Sequence, residues 1–230
     1  MTSRERLIAA ARAGKPDRRP VICWPNSSPE SDAVVDQVNP SQISLATIIN
    51  PFGHALRSGI AVWDALAEEP RHGEKILDAL VAQTRAGIKA AVDHGYDGVL
   101  YLLYGARGLH TTPMEYGGHY FERDRELLSE IGNAAFNMIF VVGENDAYLD
   151  FVSDLPAHAF AWDAQATGTS VAEIRQMRVG ALASNSSDAD IEMRFDTASL
   201  AAELELKLAD HQPMEIRSPK SEIRNRGAHV

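Results

Sequence analysis

The chain has 230 residues, 45% of them apolar, which is enough to bury one globular core and too much for a disordered segment. Twenty-two Lys and Arg against 32 Asp and Glu leave a net charge of -10, which disfavours a nucleic-acid partner because phosphate-backbone binding is driven by cationic contacts. Cys23 is the only cysteine, so an intrachain disulfide and a cysteine-rich zinc site are excluded and a reducing, cytoplasmic setting is expected. No apolar run approaches the roughly 20 residues of a membrane helix.

In chain order, Thr2 and Glu5 have the spacing of a capping box ahead of Leu7, Ile8 and Ala11. This predicts a short helix stopped by Gly14, Lys15 and Pro16. The same stretch is basic but has no apolar run of the kind a targeting peptide carries. "RPVICW" reads as a strand, "PNSSPESDAVVDQVNPSQ" as a loop, and "ISLATIIN" as a second strand ended by Asn50-Pro51. A short helix is expected over residues 60–69. A long one is expected over 71–94, where Leu77, Leu80, Val81, Thr84, Ile88 and Val92 form one stripe and Gly95 suits a left-handed cap.

The apolar run "VLYLLY" is the next strand. It is followed by a loop with Pro113 and Gly117-Gly118, and by a charged helix near 120–131. Then come "FNMIFVVG" (strand), "NDAYLDFVSDL" (helix), "HAFAWDA" (strand), "SVAEIRQM" (helix) and "VGALASNS" (strand). A last helix, "DTASLAAELELKLADH", precedes a strand "PMEIRSP" and a charged tail expected to fray. About seven strands thus alternate with helices in a single domain, 1–230. Near-continuous apolar strands of this kind belong in a parallel sheet covered by helices. The alternation fits an open doubly wound sheet or a closed barrel. No G-x-G-x-x-G follows the first strand, so the usual argument for a dinucleotide-binding sheet is missing.

Several stretches together resemble the uroporphyrinogen decarboxylase-like family, which includes corrinoid-linked methyltransferases. "RERLIAAARAGKPDRRPVICW" is similar to its opening helix, Lys-Pro-Asp-Arg turn and first strand. "NPFGHAL" resembles its Gly-Pro-Phe/Trp-Thr-Leu-Ala element, and "LAEEPRHGEKILDALVAQTRAGIKAAVDHGYDGVLYLLYGA" its long helix and next strand. "FVVGEND", "AFAWDA" and "VGALASNSS" stand where relatives carry strands ending in Gly-Asn, in Asp and in Gly-Asn-Leu-Asp-Pro. The resemblance implies a TIM-type (β/α) barrel, incomplete if the shortened region before "NPFG" has lost a strand and its helix. It implies a decarboxylase-like activity on a small carboxylated, tetrapyrrole-like ligand, with no cofactor required. It also implies departures. The decarboxylases hold substrate carboxylates with two arginines after the first strand, whereas no arginine lies between Arg19 and Arg57 here. They hold pyrrole nitrogens with an aspartate ending the next strand, which the sequence reads as deleted. The methyltransferase branch binds zinc through a His-x-Cys whose positions are Phe140 and Val142, so no metal is expected.

Barrel strand ends are where ligands meet side chains, so residues there are the candidates. Tyr101 and Tyr104 could donate to a ligand oxygen, or fill the barrel as strand-end aromatics. Arg107 could clamp a carboxylate bidentately, or stand solvated in its loop. His110, with His119 flanking the same loop, could transfer a proton. Glu144, just past a strand with Asn145, suits general acid/base work. Asp146, Asp150 and Asp154 recur on one solvated helix face. Asp163 could orient a ligand or cap the next turn, and Asn185 ends the following strand. Asn26, His54 and Arg57 follow by the same positional logic, and Trp24, Trp63 and Trp162 are expected in the core. A corrinoid-linked methyltransferase relative and a catalytically silent binding or partner subunit are the alternatives. A homodimer or a complex with a second subunit is the expected assembly.

Overall fold

The computed structural model describes residues 1–24 and 28–195. The last predicted helix, the "PMEIRSP" strand, the charged tail and Asn26 lie outside the described residues. Eight parallel strands form one sheet: β1 Val21–Trp24, β2 Ala33–Val35, β3 Ile43–Ile49, β4 Gly98–Leu103, β5 Met138–Val141, β6 Ala159–Trp162, β7 Ala181–Ser184 and β8 Ile191–Phe195. Their order is β1-β8-β7-β6-β5-β4-β3-β2, so the sheet curls round until its two edge strands meet. It is a nearly closed TIM-type α/β barrel. The helices are α1 Ser3–Ala11, α2 Pro51–Arg57, α3 Val62–Glu68, α4 Pro70–Asp93, α5 Pro113–Tyr116, α6 Glu122–Glu130, α7 Leu149–Val152, α8 Ala164–Thr167 and α9 Val171–Met177.

Two strands come from segments read as irregular. The three residues of β2 sit between polar, proline-bearing stretches too dense in turn residues for a strand to stand out. Yet Ala33, Val34 and Val35 pair in register with Ile43, Ser44 and Leu45. The strand expected to be deleted is therefore present, and it is the covering helix that is missing. "IEMRF" alternates buried and exposed residues as β8, pairing with β1 from Val21↔Glu192 to Trp24↔Phe195. The "NDAYLDFVSDL" segment contains only the four-residue α7, because Gly143–Tyr148 is used to cross the rim. In α4, Leu77, Leu80, Val81, Thr84, Ile88 and Ala91 face the core, while Val92 is 57% exposed, as a period of 3.6 rather than 4 requires. Gly95 takes the expected positive φ, 82°.

The two edges are joined by a single backbone bond and by side chains rather than by a ladder. The Asp32 amide donates to the Val21 carbonyl (2.7 Å), and Asp32 Oδ2 accepts from the Val21 amide (3.0 Å). Ser31 Oγ accepts from the Cys23 amide at 3.1 Å. Asp32 is fully buried and is held by Arg6 (2.5 Å) and by both terminal nitrogens of Arg18 (2.8 and 3.0 Å). Arg6 belongs to α1, whose Thr2–Glu5 capping box forms as expected. A bidentate pair between Arg4 and Asp97 (2.7 and 2.8 Å) binds the same helix to the start of β4. Thus α1 packs across the strand starts and fastens the seam.

The Trp24 and Phe140 rings lie 6.0 Å apart although β1 and β5 are far apart in the sheet, so both project into the barrel. Register then places Leu100, Leu102, Ala159, Ala161, Ala181 and Ala183 on the same inner face, and Tyr101, Phe160 and Trp162 on the outer face toward the helices. Small residues on β6 and β7 make room for the rings of β1, β5 and β8.

Candidate functional site at the carboxyl ends of the strands

The ends of β1, β5 and β8 form an apolar floor. Phe140 contacts Trp24 and, edge-on, Phe195 at 5.3 Å, and Val142 packs beside them, partly exposed. Polar groups stand around this floor, and most are already bonded to each other.

At β6 and β7, Asp163 and Asn185 come together. Asp163 Oδ1 accepts from the Asn185 amide nitrogen (2.8 Å) and caps α8 through the amides of Gln165 and Ala166, both at 2.9 Å. Asn185 Oδ1 in turn accepts from the Ala164 amide at 3.0 Å. Asp163 is buried, and this carboxylate holds a turn as well as facing the rim.

At β4 and β5, Arg107 is brought to Asp146, which it grips through Nε (3.0 Å) and a terminal nitrogen (2.8 Å), with Glu144 at 3.7 Å. Asp146 also accepts from the Leu109 amide at 2.8 Å. Burial alone would raise its carboxyl, but Arg107 and that amide hold it below the usual range. Asp146 was expected on a solvated face; it instead ties two rim loops together. Glu144 and Asn145 are exposed. His110 packs against Phe52 at 5.6 Å, and burial, then Arg107, lowers its basicity. His54, on α2, is lowered for the same reasons, burial and then Arg57, which is itself exposed.

Tyr104 is buried at the end of β4, and its backbone amide and carbonyl both bond to the Asn50 side chain (3.1 and 3.0 Å). Asn50 also caps α2 through the Gly53 amide at 2.9 Å. A Cβ on Gly53 would lie 2.6 Å from the Tyr104 ring. Gly53→Ala is therefore expected to cost about 1–3 kcal/mol and to displace Tyr104, measured by urea denaturation and by tyrosine absorbance. Tyr101 faces away from the mouth. It is fully buried, and its hydroxyl donates to Asp124 at 2.6 Å.

Sequence reasoning missed Asp36. It follows β2 with φ 58°, a left-handed conformation uncommon outside glycine, asparagine and aspartate. Its carboxylate is exposed and continues the β2–β3 pairing, accepting from the Thr47 amide (2.7 Å) and hydroxyl (2.8 Å). Thr47 pairs with Leu100 and so shares its inward face, which sets Asp36 at the inner rim. The one available signal was an apolar triplet bracketed by aspartates in "DAVVD".

Among the described residues no group of three or more His, Cys, Asp or Glu side chains is placed to hold a metal ion. Phe140 and Val142, at the positions of the methyltransferase branch's zinc ligands, do not fit zinc. No helix of the described residues is long and apolar enough to cross a membrane.

No family model matches the chain. No curated protein matches it. Among solved structures it is similar to a methyltransferase from Methanosarcina mazei, at 13% identity and a TM-score of 0.54, over 64% of this chain and 43% of that one. The likeness is one of fold. The chain spans less than half the length of that methyltransferase.

Proposed function

We propose that this chain is a ligand-binding barrel of the uroporphyrinogen decarboxylase and corrinoid methyltransferase superfamily, whose mouth takes a planar, N–H-bearing ring of tetrapyrrole type. The observation that carries this reading is Asp36: an exposed carboxylate at the end of the strand after β1, bonded to the inward-facing Thr47, in a barrel whose inner face also carries the apolar rings of Trp24, Phe140 and Phe195. The family resemblance puts a pyrrole-binding aspartate at the end of that strand. A carboxylate accepts ring N–H groups, and the floor gives the ring an apolar face to cover. Tyr104, Asp163 and Asn185 line the rim, with Glu144 and Asn145 outside it.

The binding role is favoured over decarboxylation by the state of Arg107. A carboxylate clamp at that position would have to displace Asp146, which holds the guanidinium in a two-point pair. Turnover would further require an acid to protonate the carbon that loses carbon dioxide, for which Glu144 and His110, each in its protonated form, are the candidates. A second reading, a methyltransferase relative, is favoured by the likeness of fold to the Methanosarcina protein. Without zinc ligands at Phe140 and Val142, it too would act by binding rather than by metal-assisted transfer.

The test is equilibrium binding of a soluble porphyrin, a cobalamin and citrate, followed by tryptophan quenching and thermal shift. The porphyrin is expected to bind, and Asp36→Asn to weaken it about 10- to 100-fold, the worth of one hydrogen bond to a charged group. Equal affinity in the variant would remove Asp36 from the site. Preference for citrate with release of carbon dioxide would restore the decarboxylase reading, and preference for cobalamin the methyltransferase one.

A further inference from the structure

Behind β4, on the helix side of the barrel, lies a carboxyl with no ion-pair partner among the described residues. Asp124 is fully buried on α6. Tyr101 from β4 donates to its Oδ1 at 2.6 Å, Tyr116 from α5 to Oδ2 at 2.6 Å, and Asn50, just before α2, to Oδ2 at 3.3 Å. Tyr120 completes the surroundings from the five-residue π-helical turn Gly117–Phe121, its hydroxyl buried and without a partner among the described residues. The adjacent cation, Arg123, turns away to Glu74 at 2.6 Å and Asp78 at 3.7 Å on α4, and His119 lies 3.6 Å from the same glutamate.

We propose that Asn50 is a positioning residue for the barrel mouth, switched by the protonation state of the buried Asp124 carboxyl behind it. One carboxamide joins four elements. Its oxygen accepts the amides of Tyr104 and Gly53, and its nitrogen donates to the Tyr104 carbonyl and to Asp124. The bond to Asp124 is the longest of the four, so it is the one most open to change. An ionised Asp124 is an acceptor facing three donors, and the set is matched. A neutral Asp124 adds a fourth donor to a cage of donors, so a hydroxyl must turn round and the charge-assisted pull on Asn50 is lost. The Asn50 side chain then holds the end of β4 and the first turn of α2 less firmly.

Burial raises the Asp124 carboxyl to about 6, against the hydrogen bonds from Tyr101, Tyr116 and Asn50 that lower it. The folded chain thus holds this proton more tightly than the unfolded one. The stability this group contributes is full below about pH 4 and is lost as pH rises through about 6. Ionisation therefore costs global stability while it tightens the local set of bonds at Asn50. The change falls in a range the protein can meet near neutrality.

The consequence for ligand binding rests on the mouth being the ligand site; the switch itself does not. It is tested without ligand, by amide hydrogen exchange at Gly53 and Tyr104 between pH 5 and 8, corrected for intrinsic rates. Protection at both amides is expected to rise about tenfold with a midpoint near pH 6, the equivalent of one pKa unit of coupling. Asp124→Asn is expected to abolish the step. Tyr116→Phe, which removes one donor to the carboxylate, is expected to raise the midpoint by about one pH unit. Flat protection in the native chain, a step surviving Asp124→Asn, or an unmoved midpoint in Tyr116→Phe would each overturn the proposal. An exchange step accompanied by pH-independent porphyrin affinity would support the switch and remove the mouth as its target.

Discussion

Gly98→Ala is expected to be severely damaging, with the closest approach to an added Cβ among the described glycines, costing at least ~3 kcal/mol in chemical denaturation. Gly98 opens β4 against the start of β5. A Cβ there would overlap the Phe136 carbonyl oxygen and lie 2.8 Å from its carbon and 2.7 Å from Asn137 Oδ1. These are not flexible side-chain ends. The Phe136 amide bonds to the Asp97 carbonyl, and Asn137 Oδ1 accepts from the Val99 amide at 3.1 Å. Relief would require β4 and β5 to separate where the barrel is already pinned to α1 through Arg4–Asp97. Gly118→Ala is the matched control. Nothing lies within 4 Å of its added carbon and its φ is ordinary, so it should stay within about 1 kcal/mol of the native chain. Similar losses in the two variants would mean that the close approach at Gly98 relaxes freely.

Asp32→Asn is expected to cost about 3 kcal/mol, because it removes the carboxylate shared by Arg6 and Arg18 at a fully buried position and leaves the two guanidiniums facing each other without it. Asp32 is fully buried and Arg6 is 7% exposed, so although Arg6 keeps its pair with Asp17, the end of the guanidinium that faced Asp32 has little access to water. The carboxylate also receives the Val21 amide, so its loss loosens the β1–β2 seam, where no ladder of backbone bonds shares the load. Asp17→Asn, which removes the other carboxylate on Arg6 but at a site 45% exposed, should cost no more than about 1 kcal/mol. Hydrogen exchange at Val21 gives the local readout: it should quicken in Asp32→Asn and hold in Asp17→Asn. A seam amide that stays protected in both would show that packing of the edge strands, not Asp32, closes the barrel.

The candidate site was legible in its positions and much less so in its partners. Asp163, Asn185 and Tyr104 directly follow the apolar runs of β6, β7 and β4, and Arg107 lies in the loop after β4. What each side chain bonds depends on residues far along the chain: Arg107 on Asp146, Tyr101 on Asp124, Asp163 on Asn185. Nothing in local spacing distinguishes an arginine held by a distant aspartate from one free to meet a ligand. Tyr101 and Tyr104 could be separated by alternation alone, three residues apart on opposite faces, but not the buried carboxyl waiting for Tyr101. Asp36 was missed for the opposite reason. Its strand is only three residues long and its neighbours are polar, so the local pattern carried a loop signal while the tertiary pairing with β3 made a strand.

The amino-acid sequence by itself determined the elements whose stability is local or repetitive: the capped α1, the amphipathic α4 with its glycine stop, and the six apolar strands read correctly as a parallel sheet. Capping boxes, a 3.6-residue stripe and unbroken apolar runs act over a few residues and leave their mark in order along the chain. Only the tertiary structure decided that the sheet curls until its edges meet, that β2 and β8 belong to it, and that Asp32 bolts the seam. Those outcomes depend on pairings between residues well separated in sequence, where a three-residue strand gains its stability from neighbours and a buried carboxylate is tolerated only because two arginines reach it.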